Sequence, residues 1–171
     1  HPYSIALSVE QVVRNHAVFD PAKHLGRGIK DLQQRFLRQL PTDDLRAYQV
    51  LAMTGEFTAE LFASLVERGV ITGFSSQDFF ELVESHSFFV HDGAGRNVWR
   101  FHRAMQTALL TSVLQNRGGY SRSAAIFESL WGMYGAEIGE QVASNDVEQV
   151  QRSHGRMFAL AQLHLRSELV S

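Results

Sequence analysis

The chain has 171 residues, 44% hydrophobic, 11% aromatic and 20% charged, which supplies a packed core and excludes a disordered chain. Sixteen Lys and Arg against eighteen Asp and Glu leave a net charge of −2, so no global field draws in nucleic acid or anionic lipid. Cysteine is absent, which excludes disulfides, thiol catalysis, iron–sulfur clusters and cysteine zinc sites, and no apolar run approaches the ~20 residues of a membrane helix.

Pro2 to His16 reads as a helix, because proline suits a first turn and Ile5, Val9 and Val12 with Ala6 and Val13 recur at i, i+3, i+4. Asp20-Pro21, Gly26 and Gly28 mark a loop. A second helix spans Ile29 to Leu40, apolar at Ile29, Leu32, Phe36, Leu37 and Leu40, and Pro41 stops it. Thr42 is expected to cap the next, with Asp43 and Asp44 in its first turn as partners of the helix dipole rather than a catalytic pair. That helix runs to Met53 and buries Leu45, Tyr48, Leu51 and Ala52. Thr58 caps another, with Leu61, Phe62 and Leu65 inward and Gly69 at its end. Ser75-Ser76-Gln77-Asp78 offers a capping box for a helix carrying Phe79, Phe80, Leu82 and Val83.

The period then changes from 3.6 to 2. Ser87–His91 and Asn97–Phe101 are aromatic and β-branched runs around Asp92-Gly93-Ala94-Gly95-Arg96, a hairpin. Arg103 to Asn116 returns to helix through Ala104, Met105, Ala108, Leu109, Val113 and Leu114. Three helices, a hairpin and a closing helix are the order of a winged helix. Beyond Gly118-Gly119, Ser121–Tyr134 forms a helix around Ala125, Phe127, Leu130 and Trp131. Asn145-x-x-Glu148 caps a long last helix through Val147, Val150, Phe158, Ala161 and Leu165. The fold class is therefore mainly α with a small β-hairpin. Residues 1–40 form the tail of a helical subdomain, 41–116 a winged helix, and 117–171 the start of a helical, tetratricopeptide-like array. Opening on His1 and closing inside a helical pattern, the chain reads as a piece cut from a longer protein.

Leu51-Ala52-Met53-Thr54, Phe57-Thr58-Ala59-Glu60-Leu61 and the run from Phe80 to Val90 stand in one order with Asn97-Val98-Trp99-Arg100-Phe101-His102. In that order and spacing they resemble the winged-helix region of the STAND ATPases, the signal-transduction ATPases with numerous domains. Within that family the likeness is to bacterial regulators typified by the maltotriose-responsive transcription activators. The opening His1-Pro2-Tyr3-Ser4-Ile5-Ala6-Leu7 is similar to the G-x-P helix start that closes the family's nucleotide module. The resemblance implies a cytoplasmic protein whose ATPase core holds ADP at rest under the winged helix. Pro2 would pack near the adenine and His102 would reach the β-phosphate. An imidazole donor beside a diphosphate can distinguish ADP from ATP when the domain moves. ADP or ATP would be bound mainly by a P-loop domain outside this chain, since no G-x-x-x-x-G-K-[ST] occurs within it. The ATPase core and the sensor domain would be its intramolecular partners, with oligomerisation on activation. The chain departs from the family in having Arg103 where an acidic residue often follows the histidine.

Read without the resemblance, the same residues have plainer accounts. His102 is then a strand-end histidine that caps the following helix. His86 and His91 are five apart and would face opposite ways on one strand, which argues against a metal. Trp99 and Phe101 turn to the core, leaving Arg100 and His102 outward. Ser76–Ser85, where a DNA-binding winged helix would read bases, holds Asp78, Glu81 and Glu84 and no cation. Residues 51–100 carry three Arg against seven acids, so no direct DNA contact is expected. Gly93 and Gly95 make a turn and not a phosphate cradle, and no nucleophile motif appears, so no enzyme is expected in this chain. The alternative to a nucleotide-linked lever is a helical adaptor that binds protein partners.

Overall fold

A computed structural model describes residues 9, 13, 29–92, 97–115 and 119–168 of the chain. Among these it is mainly helical, with one three-stranded antiparallel sheet, and it divides into two compact units, His1–Leu110 and Thr111–Ser171. Val9 and Val13 are helical and exposed, and the rest of the expected Pro2–His16 helix lies outside the described residues.

In the first unit the elements are α1 (Ile29–Gln39), α2 (Thr42–Thr54), β1 (Glu56–Phe57), α3 (Ala59–Glu67), a 3-10 turn Ser76–Asp78 leading into α4 (Phe79–Glu84), β2 (Phe89–Asp92) and β3 (Val98–Phe101). The first turns of α5 (Arg103–Gln115) close it. Helix α2 starts one residue earlier than the sequence suggests. Pro41 is its N-cap, with φ −51° and ψ 149°, and its carbonyl accepts the Leu45 N–H at 3.0 Å. Proline fits there because its fixed φ suits an extended cap residue and the missing N–H is not needed. Thr58 does cap α3: its hydroxyl accepts the Leu61 N–H at 3.3 Å. The same hydroxyl, with backbone N–H help, holds the Glu60 carboxyl below the ordinary glutamate value. Asp78 closes its half of the capping box, accepting the Ser75 N–H at 2.6 Å.

The sheet has the order β1-β3-β2. Phe57 lies opposite Trp99 and Glu56 opposite Arg100, while on the other edge Phe89 pairs with Phe101 and His91 with Trp99. The hairpin of β2 and β3 is thus joined by a third, two-residue strand that the sequence reading did not contain. The second strand also starts later than expected, at Phe89, leaving Ser87 and Phe88 in the approach to it.

This register directs one face of aromatic rings inward. Phe36, Tyr48, Phe57, Phe62, Phe79, Phe88, Phe89 and Phe101 are buried together. Tyr48 meets Phe88, Phe89 and Phe101 edge-on at centroid separations of 5.7, 5.5 and 6.1 Å. Phe57 meets Phe89 and Phe101 at 6.1 and 5.5 Å. Such pairs each add about 0.5–1.5 kcal/mol beyond the burial of their area. Helix α1 shares this core, because Phe36 lies edge-on to Phe88 at 5.4 Å. Leu45 is half-buried and Phe80 is 47% exposed, so two of the expected core positions lie at the margin.

The second unit contains α6 (Gly119–Ala143) and α7 (Val147–Glu168), which pack on each other. Helix α6 continues well past Tyr134, where the sequence reading ended it. Ile126, Leu130, Met133 and Tyr134 of α6 and Ser153 and Leu160 of α7 are buried. Phe127 stacks on Trp131 at 5.4 Å, with Trp131 41% exposed, and Phe158 is 67% exposed, so the buried stripes differ from the expected ones. Asn145 does not cap α7. It takes φ +60° in the turn, and Asp146 is the cap, its Oδ1 accepting the Gln149 N–H at 3.1 Å. An asparagine tolerates the left-handed region that ends α6, which leaves the next residue to cap.

Candidate functional site

His102 stands between β3 and α5. Its N–H donates to the Phe88 carbonyl at 2.7 Å, extending the strand pairing by one residue. Its own carbonyl accepts the Met105 and Gln106 N–H groups at 2.8 and 3.0 Å, which makes it the residue from which α5 grows. The ring completes the cap, Nδ1 accepting the Ala104 N–H at 3.4 Å. A neutral ring that accepts at Nδ1 carries its proton on Nε2. The half-buried His102 is therefore held from three sides: by Phe88 just before β2, by its own strand and by the first turn of α5. Gln106, one turn on, fixes the helix against α2 by donating its Nε2 amide to the Ala52 carbonyl at 3.1 Å.

Arg100 and Arg103 flank His102 in sequence, and both are exposed. Helix α5 adds the positive end of its dipole at the same point. The N–H groups of Ala104, Met105 and Gln106 are taken by His102 itself, so the two arginines and the dipole are what the surroundings of the imidazole add toward an anion. Pro2, the other residue the resemblance singles out, lies outside the described residues.

His86 and His91 sit in different surroundings. His86 precedes β2 instead of lying on it, so the opposite-face argument does not apply to it. It is buried, stacked on Phe88 at 4.7 Å with the rings 17° apart, and edge-on to Phe36 and Tyr48 at 5.3 and 5.8 Å. His91 is exposed on β2, where it lies against Trp99 at 4.7 Å with Nε2 3.3 Å from Asn97 Oδ1. Phe101 is buried as expected, but Trp99 is only half-buried. No group of three or more His, Asp or Glu able to hold a metal occurs among the described residues.

One feature was missed in the sequence. A cleft of about 300 Å³ opens between the start of α2, the 72–74 loop and α4, with Tyr48, Phe74, Leu82 and His86 among its walls and Asp44, Asp78 and Glu81 as its charged groups. Asp44 was visible as a first-turn residue, Asp78 as part of a capping box and Glu81 as an acid of the third helix of the winged-helix order. Their convergence depends on how α2 and α4 meet, which no local spacing encodes. Compared with known proteins, the chain matches no family model, no curated protein and no solved structure.

Proposed function

We propose that this chain is the regulatory winged-helix segment of a larger STAND-type signal transducer, a transcriptional regulator. In this reading the segment holds an ADP-bound ATPase core closed and relays inducer binding as a domain rotation. The observation that carries the reading is His102 at the strand end that opens α5, in the run Trp99-Arg100-Phe101-His102 that resembles the family. The helix order and the β1-β3-β2 sheet support the winged-helix part of it. The cap contact supports the role of the histidine, since a neutral ring accepting at Nδ1 has an Nε2–H of the kind that donates to a β-phosphate oxygen. His102 then switches between docked and released states of the domain. Helices α6 and α7 begin the sensor array. No phosphoryl transfer is assigned to this chain, which lacks a P-loop.

Two substitutions test the role in the intact protein. His102→Asn keeps a side-chain acceptor for the α5 cap and removes the imidazole donor, whereas His102→Ala removes both. Both variants are expected to purify with less bound ADP and to show raised basal signalling. His102→Ala alone also loses about 1 kcal/mol of stability with the cap. Unchanged ADP content in His102→Asn refutes the phosphate role and leaves His102 as a helix cap. The adaptor reading then stands, favoured by the acid-walled cleft. DNA binding is disfavoured by α4, which carries Glu81 and Glu84 and no cation.

A further inference from the structure

The cleft beside His86 is unrelated to the nucleotide role of His102, and its chemistry is of the opposite sign. We propose that it is a docking groove for an arginine-bearing segment of a partner protein. Its lining is divided between polar and apolar groups, the apolar part being the buried Tyr48, Leu82 and His86 at the edge of the ring cluster and the half-buried Phe74. Every charged group in its lining is a carboxylate, Asp44, Asp78 or Glu81. The surrounding sequence has the same sign, residues 41–90 holding eight Asp and Glu against two Arg.

Charge complementarity identifies the occupant. Phosphate-bearing ligands are repelled, and the described residues offer no cluster that would hold a metal ion. A guanidinium suits both halves of the lining, since its plane stacks on aromatic rings while its edge donates to carboxylates in pairs. An ammonium can approach a ring face but has no planar fork to pair with a carboxylate. The volume of about 300 Å³ is that of one side chain and its approach, not of a folded element. The groove therefore reads a short segment.

The test is a titration of the isotope-labelled chain with tetra-arginine peptide, followed by amide NMR shifts. Shifts are expected to concentrate at Gly73, Phe74, Ser85 and His86, with tetra-lysine binding more weakly. Asp44→Asn with Glu81→Gln should weaken tetra-arginine about fivefold, as two partly exposed ion pairs allow. Glu60→Gln with Glu67→Gln, the same charge change away from the groove, should leave affinity within about twofold. Ser85→Trp, which fills the groove from its rim, should abolish the localised shifts while the rest of the spectrum stays folded. Equal weakening by the two double variants, shifts spread over all the acidic surface, or no binding overturns the proposal. So does a divalent cation that moves the same amides in place of the peptide. The nucleotide reading is untouched by any of these outcomes, because none involves His102.

Discussion

Replacing Gly73 by alanine combines two costs that the structure allows to be separated. Gly73 has φ +83°, and a Cβ built on it would stand 2.8 Å from Asp43 Oδ2 and 2.9 Å from Asp43 Cβ and Cγ. Gly69 has nearly the same backbone, φ +69°, but its Cβ would meet nothing within 4 Å. Gly69→Ala therefore measures the left-handed backbone cost alone, about 1–2 kcal/mol. Gly73→Ala carries that cost plus the crowding of Asp43, about 1–3 kcal/mol more. The Asp43 carboxylate can swing away, but its Cβ is fixed by α2, so Asp43→Ala should relieve little and Asp43→Gly most of the excess. The protein has two tryptophans, Trp99 in the first unit and Trp131 in the second. In a Trp131→Phe background, urea unfolding followed by Trp99 fluorescence reports the first unit. The reasoning fails if Gly73→Ala and Gly69→Ala shift the midpoint equally, or if Asp43→Gly leaves the difference intact.

Two further predictions concern the second unit. Gly135 and Gly139 lie inside α6 with open space where a Cβ would be, so each change to alanine should stabilise the helix by about 0.5–1 kcal/mol in thermal unfolding. A loss of stability would reveal a close neighbour that the open space denies. Burial pushes the Tyr134 hydroxyl up to about 12, partly opposed by Arg156, against about 10 for a free tyrosine. Between those values the unfolded chain loses a proton that the folded chain keeps, so stability falls as pH rises from 10 to 12, by up to about 3 kcal/mol. Tyr134→Phe should abolish that fall, which urea midpoints at pH 7 and pH 11 would measure. At pH 7 it should cost almost nothing, since the buried hydroxyl has no hydrogen-bond partner among the described residues.

Helices with strong local signals were legible in the sequence. Thr58 and Gly69 bracket α3 because a hydroxyl cap and a left-handed glycine act within one turn, and the change of period after Ser85 marked the hairpin because alternation survives over four residues. Strand β1 was not legible. Two residues, Glu56 and Phe57, show no period, and they are a strand only because β3 has an open edge for them. The faces of α6 and α7 were misjudged for a related reason. Trp131 and Phe158 are apolar enough to suggest an interior, but Tyr134, Ser153 and Leu160 are the side chains that the neighbouring helix covers. Composition cannot rank two apolar stripes on one helix; the partner helix does that.

For the site, the sequence could name His102 but not what its ring does. The resemblance and the capping account looked like rivals, because one assigns the imidazole to a ligand and the other to the fold. They call on different atoms of the ring. Capping uses Nδ1, whereas the proposed phosphate role would use Nε2. This has a consequence for substitution. Glutamine, often taken as an imidazole mimic, is one atom too flexible to cap and donate from a fixed position, so it cannot reproduce both functions. Asparagine can reproduce the cap only. A residue that serves the fold with one atom and a ligand with another is separated by substitutions graded in reach, not by deletion. For that reason the comparison of His102→Asn with His102→Ala decides between the regulator and the adaptor, and the alanine variant by itself does not.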